Sequence, residues 1–152
     1  MNGRIVNNGM ARYITDMAIR KMIEANQAPK SSKVVIMGLT FKENCPDIRN
    51  SKVYDIFRYF TEYGITPIVT DPWADLDEAF REYGIHLSKM DEIKEADCII
   101  VSVAHKKFRD MGLEYVKSIA RKNGKTKCVL IDVKGLFSVN DLIDAGVVWW
   151  RL

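Results

Sequence analysis

A chain of 152 residues, 47% hydrophobic and 28% charged, suits one domain plus an appendage and can bury roughly 70% of the surface its unfolded form exposes. A net charge of +3 without a basic stripe argues against nucleic acid, and apolar runs of about five residues are far too short to span a membrane. Cys45, Cys98 and Cys128 are odd in number and widely spaced, which gives neither a disulfide framework nor a zinc site; with no signal-peptide core at the N-terminus, the cytoplasm is the default compartment.

In chain order, the first segment is helical. Val6, Met10, Tyr13, Ile14 and Met17 recur at spacings of three and four, and Ile19, Met22 and Ile23 widen the stripe before the polar run "NQAPKSSK". One helix cannot bury such a face alone, so it packs on the domain after it or belongs to something larger. Val34–Met37 reads as a buried strand. "SKVYDIFRYFTEYG" comes next as an amphipathic helix with Val53, Ile56, Phe57 and Phe60 on one face and Gly64 as its stop. "TPIVTDP" is a second strand, "LDEAFREYG" a helix and "IHLS" a short extended piece. "DEIKEADCIIVSVAH" runs from a short helix into the most apolar strand, Cys98–Val103. "LEYVKSIARKNG" is helical, "KCVLIDV" a strand, "VNDLIDAG" helical and "VVWW" a possible edge strand. Strands alternating with helices predict an α/β fold: a doubly wound, mainly parallel, Rossmann-like sheet preceded by an N-terminal helix.

In such sheets ligands bind beyond the carboxyl ends of the strands. The first strand-to-helix turn, Gly38 through Asn50, has thirteen residues and only one glycine, so it is neither a dinucleotide fingerprint nor a P-loop. It offers instead Lys42 and Arg49 flanking Asp47, ahead of Ser51, an N-cap candidate whose helix presents free amides to an anion. Lys42 suits phosphate as a point charge and Arg49 as a planar fork, with Asp47 orienting it; the plain alternative is a solvated loop in which Arg49 and Asp47 pair. Asp71 stands where an acid often takes ribose hydroxyls, yet "DP" is equally a turn signal. Cys45 has no histidine near it in sequence and reads as a bystander thiol. His105 reads as a helix start, with a site residue as the alternative. Trp149 and Trp150 read as edge packing.

The wording "GLTFKENCPDIRNSK" resembles the loop that opens the C-terminal domain of the nucleotide-sugar 6-dehydrogenases, in particular the branch acting on UDP-N-acetylglucosamine or UDP-N-acetylgalactosamine. "GRIVNNGMARYITD" is similar to the "R-x-x-N-D" start of that family's central helix, with Asn8 where aspartate is usual. "YGITPIVTDPWAD", "ADCIIVSVAH" and "LIDVKGLF" match its later strands in order. The resemblance implies an enzyme with an NAD-binding Rossmann domain, a central dimerising helix and a UDP-binding domain, which oxidises C6 of the sugar to an acid by two hydride transfers through a thiohemiacetal on a cysteine.

Residues 1–30 would be the end of the central helix and a linker, and 31–152 the UDP-binding α/β domain. Phe41 and Lys42 would contact the UDP-sugar, Lys134 would add a basic substrate contact, and Arg49 would reach across a cleft to NAD. The glycine-rich NAD fingerprint and the "GGxCxPKD" segment with the catalytic cysteine have no match here, and Cys45 does not align with that cysteine. The chain therefore reads as an excised C-terminal portion or a natural remnant, a binding module without turnover. A non-catalytic regulatory or scaffold domain and an independent NAD-binding protein are the alternatives. Self-association through residues 1–25 into a homodimer is expected, on the argument that the helix's apolar face has too little of its own domain to cover it.

Overall fold

The computed structural model describes the backbone of residues 2–152 and the side chains from residue 9 onward; Arg4, Val6 and Asn8, placed by the sequence in the first helix and its motif, lie outside the described side chains. The elements are α1 (Asn2–Glu24), β1 (Val34–Met37), α2 (Lys52–Glu62), β2 (Ile68–Thr70), α3 (Leu76–Tyr83), β3 (Cys98–Val101), α4 (Lys106–Ile119), β4 (Val129–Asp132), α5 (Val139–Asp144) and β5 (Val148–Arg151). The five strands form one sheet in the order β2-β1-β3-β4-β5, parallel throughout. β1, β3 and β4 are buried along their whole length, which is why β1 and β3 read as unbroken apolar runs and β4 is apolar up to Asp132, rather than alternating.

The two faces of the sheet carry separate cores. Val34, Ile36, Cys98, Ile100, Val129 and Ile131 pack with residues of α1 and α2, whereas Val35, Met37, Ile99, Val101 and Leu130 pack with residues of α4 and α5. Right-handed crossovers explain the split. The chain steps one way from β1 to β2, which puts α2 on the first face. It steps the other way from β3 to β4 and from β4 to β5, which sends α4 and α5 to the second face, while Ala79 of α3 joins the first-face core. The first face over β4 and β5 would stay bare, and α1 fills that place, touching β4, β5 and α2.

This corrects the expectation that α1 lacks cover in its own domain. Its buried side is Ala11, Ile14, Thr15, Ala18 and Met22, continued by Ala25 just past its end, while Met10, Tyr13 and Ile23 of the expected stripe are exposed. Small residues let the helix approach closely, so alanines share the inner face with Ile14 and Met22 of the expected stripe. Just beyond α1, the Gln27 amide donates to the carbonyls of Asp97 (2.7 Å) and Lys127 (2.6 Å), tying the helix end to the amino ends of β3 and β4.

Three boundaries differ from the sequence reading. "IHLS" joins no strand; Ser88 N–H makes a single backbone bond to Val69 O. The short helix before β3 is a single 3-10 turn, Met90–Glu92. The helix expected from Leu113 to Gly124 begins at Lys106, is broken by Gly112 (φ 59°, ψ −162°) and stops at Ile119. It stops because Ala120 bridges to Ala96 and the Arg121 guanidinium turns back to the Asp97 carboxylate at 2.9 Å. Trp150 meets Tyr13 edge-on at 5.6 Å, so the tryptophans of β5 do pack an edge.

Candidate functional site

From β1 the chain crosses to β2 on one side and reaches β3 on the other, and the loops leaving β1 and β3, 38–51 and 102–105, meet above the sheet. Gly38 begins the first loop with φ 108°, and a Cβ there would lie 2.7 Å from Val103 Cβ; the lone glycine serves loop-to-loop packing. The loop then folds on itself. Leu39 N–H and Thr40 N–H donate to Asp71 Oδ2 (2.7 and 3.1 Å), Phe41 N–H to Asp47 O (2.6 Å), and the Ser51 hydroxyl to Leu39 O (2.6 Å). Ser51 also caps α2 by accepting from Val53 N–H, as its position predicts. Asn44 and Asn50 take the left-handed conformation that asparagine tolerates best among non-glycines. The Tyr83 hydroxyl donates to Ile48 O, and Ile48 is fully buried beneath the loop.

His105 is the residue the sequence places least well. It sits at the start of α4, yet its ring is fully buried and both nitrogens are used. Asn44 N–H can only donate, and it donates to Nδ1 at 2.9 Å. The ring proton is therefore on Nε2, which faces Asp71 Oδ2 and Thr40 Oγ1, each at 3.0 Å. The Thr40 hydroxyl donates its own proton to Lys42 O at 3.0 Å. Asp71, His105, Thr40 and Lys42 thus form one chain of hydrogen bonds beneath the loop. Asp71 Oδ1 accepts from Trp73 N–H and Ala74 N–H as well, so the carboxylate is a structural hub with no free oxygen for ribose. Burial alone would raise the Asp71 carboxyl; the bonds from His105, Leu39 and Trp73 outweigh it and hold it below the ordinary value.

Above this frame lies a cleft of about 370 Å3, lined among others by Phe41, Lys42, Lys52, Ser102 and Lys134. Three residues expected to bind substrate, Phe41, Lys42 and Lys134, therefore share one cleft although they come from two different loops. Lys134 reaches it because Asp132, fully buried at the end of β4, accepts from Leu136 N–H (2.8 Å) and Phe137 N–H (2.9 Å) and so curls the loop after it. Phe41 stays 54% exposed, an aromatic face held out to whatever enters. Lys52 is the member that sequence reasoning misses; its signal is its place directly after the cap Ser51, which begins the helix that points at the cleft. Beside the cleft is an apolar recess of about 170 Å3 that shares Lys52, Val53, Ser102 and Lys134 with it.

Arg49 does not line the cleft. It is exposed and paired with Asp47, Nε to Oδ1 at 3.1 Å; that bond, with the charges of Glu78 and Glu82 on α3, raises its pKa further. The same ion pair holds the Asp47 carboxyl below its ordinary value. Cys45 adjoins Asn44, but the His105 nitrogens are already committed to Asn44, Asp71 and Thr40, so His105 does not serve the thiol as a base. Burial pushes Cys128 up to about 12 and raises Cys98 well above its ordinary value, which leaves both protonated and inert. A dinucleotide cradle does not fit the β1–α2 turn either. The amides of Leu39 and Thr40 that would face a pyrophosphate already serve Asp71, and Gly38 is closed off by Val103. A larger hollow of about 790 Å3 opens beside α4, lined by residues such as Lys89, Asp91 and Lys107, but it lies off the β1–β3 switch point and its charges are mixed. Among the described residues there is no cluster of three metal-ligating side chains and no helix long and apolar enough to cross a membrane.

Residues 35–139 match the UDP binding domain of the UDP-glucose/GDP-mannose dehydrogenase family. The chain is similar to the UDP-N-acetyl-D-glucosamine 6-dehydrogenases of Pseudomonas aeruginosa, 42% identical over 88% of this chain and 31% of that protein, and of Salmonella typhi, 40% identical over 87% and 30%. It therefore spans about a third of the length of these curated relatives. In fold it is similar to an NDP-N-acetyl-D-galactosaminuronic acid dehydrogenase from Methanosarcina mazei Go1, with a TM-score of 0.83 at 21% identity over 97% of this chain and 30% of the other.

Proposed function

The chain belongs to the UDP-glucose/GDP-mannose dehydrogenase family through its UDP binding domain, and from that premise we propose that it holds the UDP-sugar for an NAD-dependent UDP-N-acetylhexosamine 6-dehydrogenase. The observation that carries the reading is the meeting of Phe41, Lys42 and Lys134 in one cleft at the switch point of the sheet. Lys42 and Lys134 supply positive charge for a diphosphate, and Phe41 supplies an apolar face. The hydrogen-bond chain from Asp71 through His105 and Thr40 to the Lys42 carbonyl fixes the backbone that carries Lys42 before any ligand arrives. NAD would lie on other parts of the enzyme, with Arg49 extending toward it from outside the cleft. The work of the whole enzyme would be to make UDP-uronic acids for polysaccharide, in the cytoplasm. Homodimerisation through α1 would use its outward side, where Met10, Tyr13 and Ile23 are exposed.

Calorimetric titration of UDP into the chain tests the binding role. Binding is expected, and it should weaken roughly 10- to 150-fold in Lys42→Ala, the worth of one charge-assisted hydrogen bond. Arg49→Ala should change UDP affinity much less. Equal losses would place both cations on one phosphate and end the division of labour, and absence of heat at millimolar UDP would count against the reading itself. Added NAD and either UDP-N-acetylglucosamine or UDP-N-acetylgalactosamine should give no NADH with this chain alone; turnover would overturn the assignment of a binding module.

A further inference from the structure

We propose that Lys52 is a third cation for the diphosphate, completing a clamp with Lys42 and Lys134; this rests on the UDP-sugar reading of the cleft. Lys52 occupies the first position of α2, where the helix dipole is positive and a lysine is electrostatically misplaced unless an anion sits before it. The acid of that first turn, Asp55, does not compensate it, being paired with Arg58 at 3.6 Å. Among the described residues, none of Lys42, Lys52 and Lys134 has an ion-pair partner within 4 Å.

The charge balance of the cleft points the same way. Its lining holds those three ammonium groups against one carboxylate, Glu43, a formal excess of two positive charges. The diphosphate diester of a nucleotide sugar carries two negative charges, so it neutralises that excess. Position agrees with charge. Lys52 and Lys134 border both the cleft and the apolar recess, so they flank the passage between two spaces. A nucleotide sugar has this order of parts, with its charges in the middle and uncharged groups at both ends.

The test is UDP affinity of the full chain as wild type, Lys52→Ala, Lys52→Arg and Lys122→Ala, the last removing an exposed lysine from the far end of the sheet. Uridine, followed by chemical-shift titration, is the phosphate-free probe. Lys52→Ala should weaken UDP about tenfold, the effect of one charge-assisted contact, and leave uridine unchanged. Lys52→Arg should keep most of the affinity, and Lys122→Ala nearly all. The melting temperature of Lys52→Ala should hold or rise, since the repulsion at the helix start is relieved, and this separates a ligand contact from a structural role. Equal UDP affinity in Lys52→Ala and Lys122→Ala would overturn the clamp while leaving the UDP reading intact. So would equal losses for uridine and UDP. A wild-type chain that does not bind UDP would remove the reading beneath it, which is a different result.

Discussion

At the scale of single residues, the frame under the cleft depends on one histidine whose two ring nitrogens are both hydrogen-bonded and on one aspartate held charged. His105→Ala removes the acceptor of Asn44 N–H and the partner of both Asp71 and Thr40, and leaves a void beneath the loop. It should cost about 2–4 kcal/mol by urea unfolding and loosen UDP binding as well. A variant as stable as wild type would show that the network is dispensable. Asp71 gives the pH dependence. Its folded pKa lies below the ordinary value of 3.8, so its contribution to stability is complete above that value and is lost as pH falls from there through the folded one. Chemical melts from pH 5 down to about 2 should show this loss. Asp71→Asn should be less stable at neutral pH, because an amide nitrogen faces N–H donors, and should show a shallower decline toward acid. An unchanged slope would place the acid sensitivity elsewhere. None of this network is legible in the sequence. Asp71, His105 and Thr40 are separated by 31 to 65 positions, and their meeting depends on three strands lying in the order β2-β1-β3. The members of the cleft are legible, by contrast, through the wording of the loop around Phe41 and Lys42 and of the turn at Lys134, whereas Lys52 gives only its place after the cap.

At the scale of elements, the strands and caps announce themselves. β1, β3 and β4 are apolar runs, and Ser51, Asp75 and Ser138 each cap the helix after them with a side-chain oxygen. Two helices do not. The start of α4 has little apolar period before Gly112, and only Phe108 of its first turn is buried, so the pattern becomes visible late. In α1 the hydrophobic stripe includes Ile14 and Met22, which are buried, but also Met10 and Tyr13, which are not, and close approach to α2 and the sheet puts Ala11 and Ala18 inside. That contact makes a prediction. Ala18 is fully buried, so Ala18→Leu should overpack the interface and cost about 1–3 kcal/mol, whereas Tyr13→Ala, on the outer side, should cost less than about 1 kcal/mol plus its edge contact with Trp150. The reverse order in thermal melts would mean that α1 packs through its Tyr13 side and not its Ala18 side.

At the scale of the whole molecule, the topology decides what α1 is for. Because β3, β4 and β5 succeed one another in the same direction, their right-handed crossovers put α4 and α5 on the second face, and apart from α1 the first-face core draws its helical residues from α2 and from Ala79 of α3, which follow β1 and β2. Val129, Ile131 and the half-buried Trp150 would then face water without α1. Removing residues 2–24 also uncovers part of α2 and withdraws Ile14 and Met22, each worth about 1.5–3 kcal/mol when buried, together with two inward alanines. The sum is of order 5–10 kcal/mol, comparable with the whole stability of a domain this size. The deletion should therefore abolish cooperative melting and produce aggregates. If α1 were an appendage serving a dimer alone, the same deletion would give a soluble monomer with a sharp transition and UDP affinity equal to that of the full chain. Light scattering and a thermal scan on one preparation separate these outcomes. The proposed dimerisation through the exposed side is tested apart from folding by Ile23→Glu, at a position 60% exposed, which should keep the melt and change only the mass.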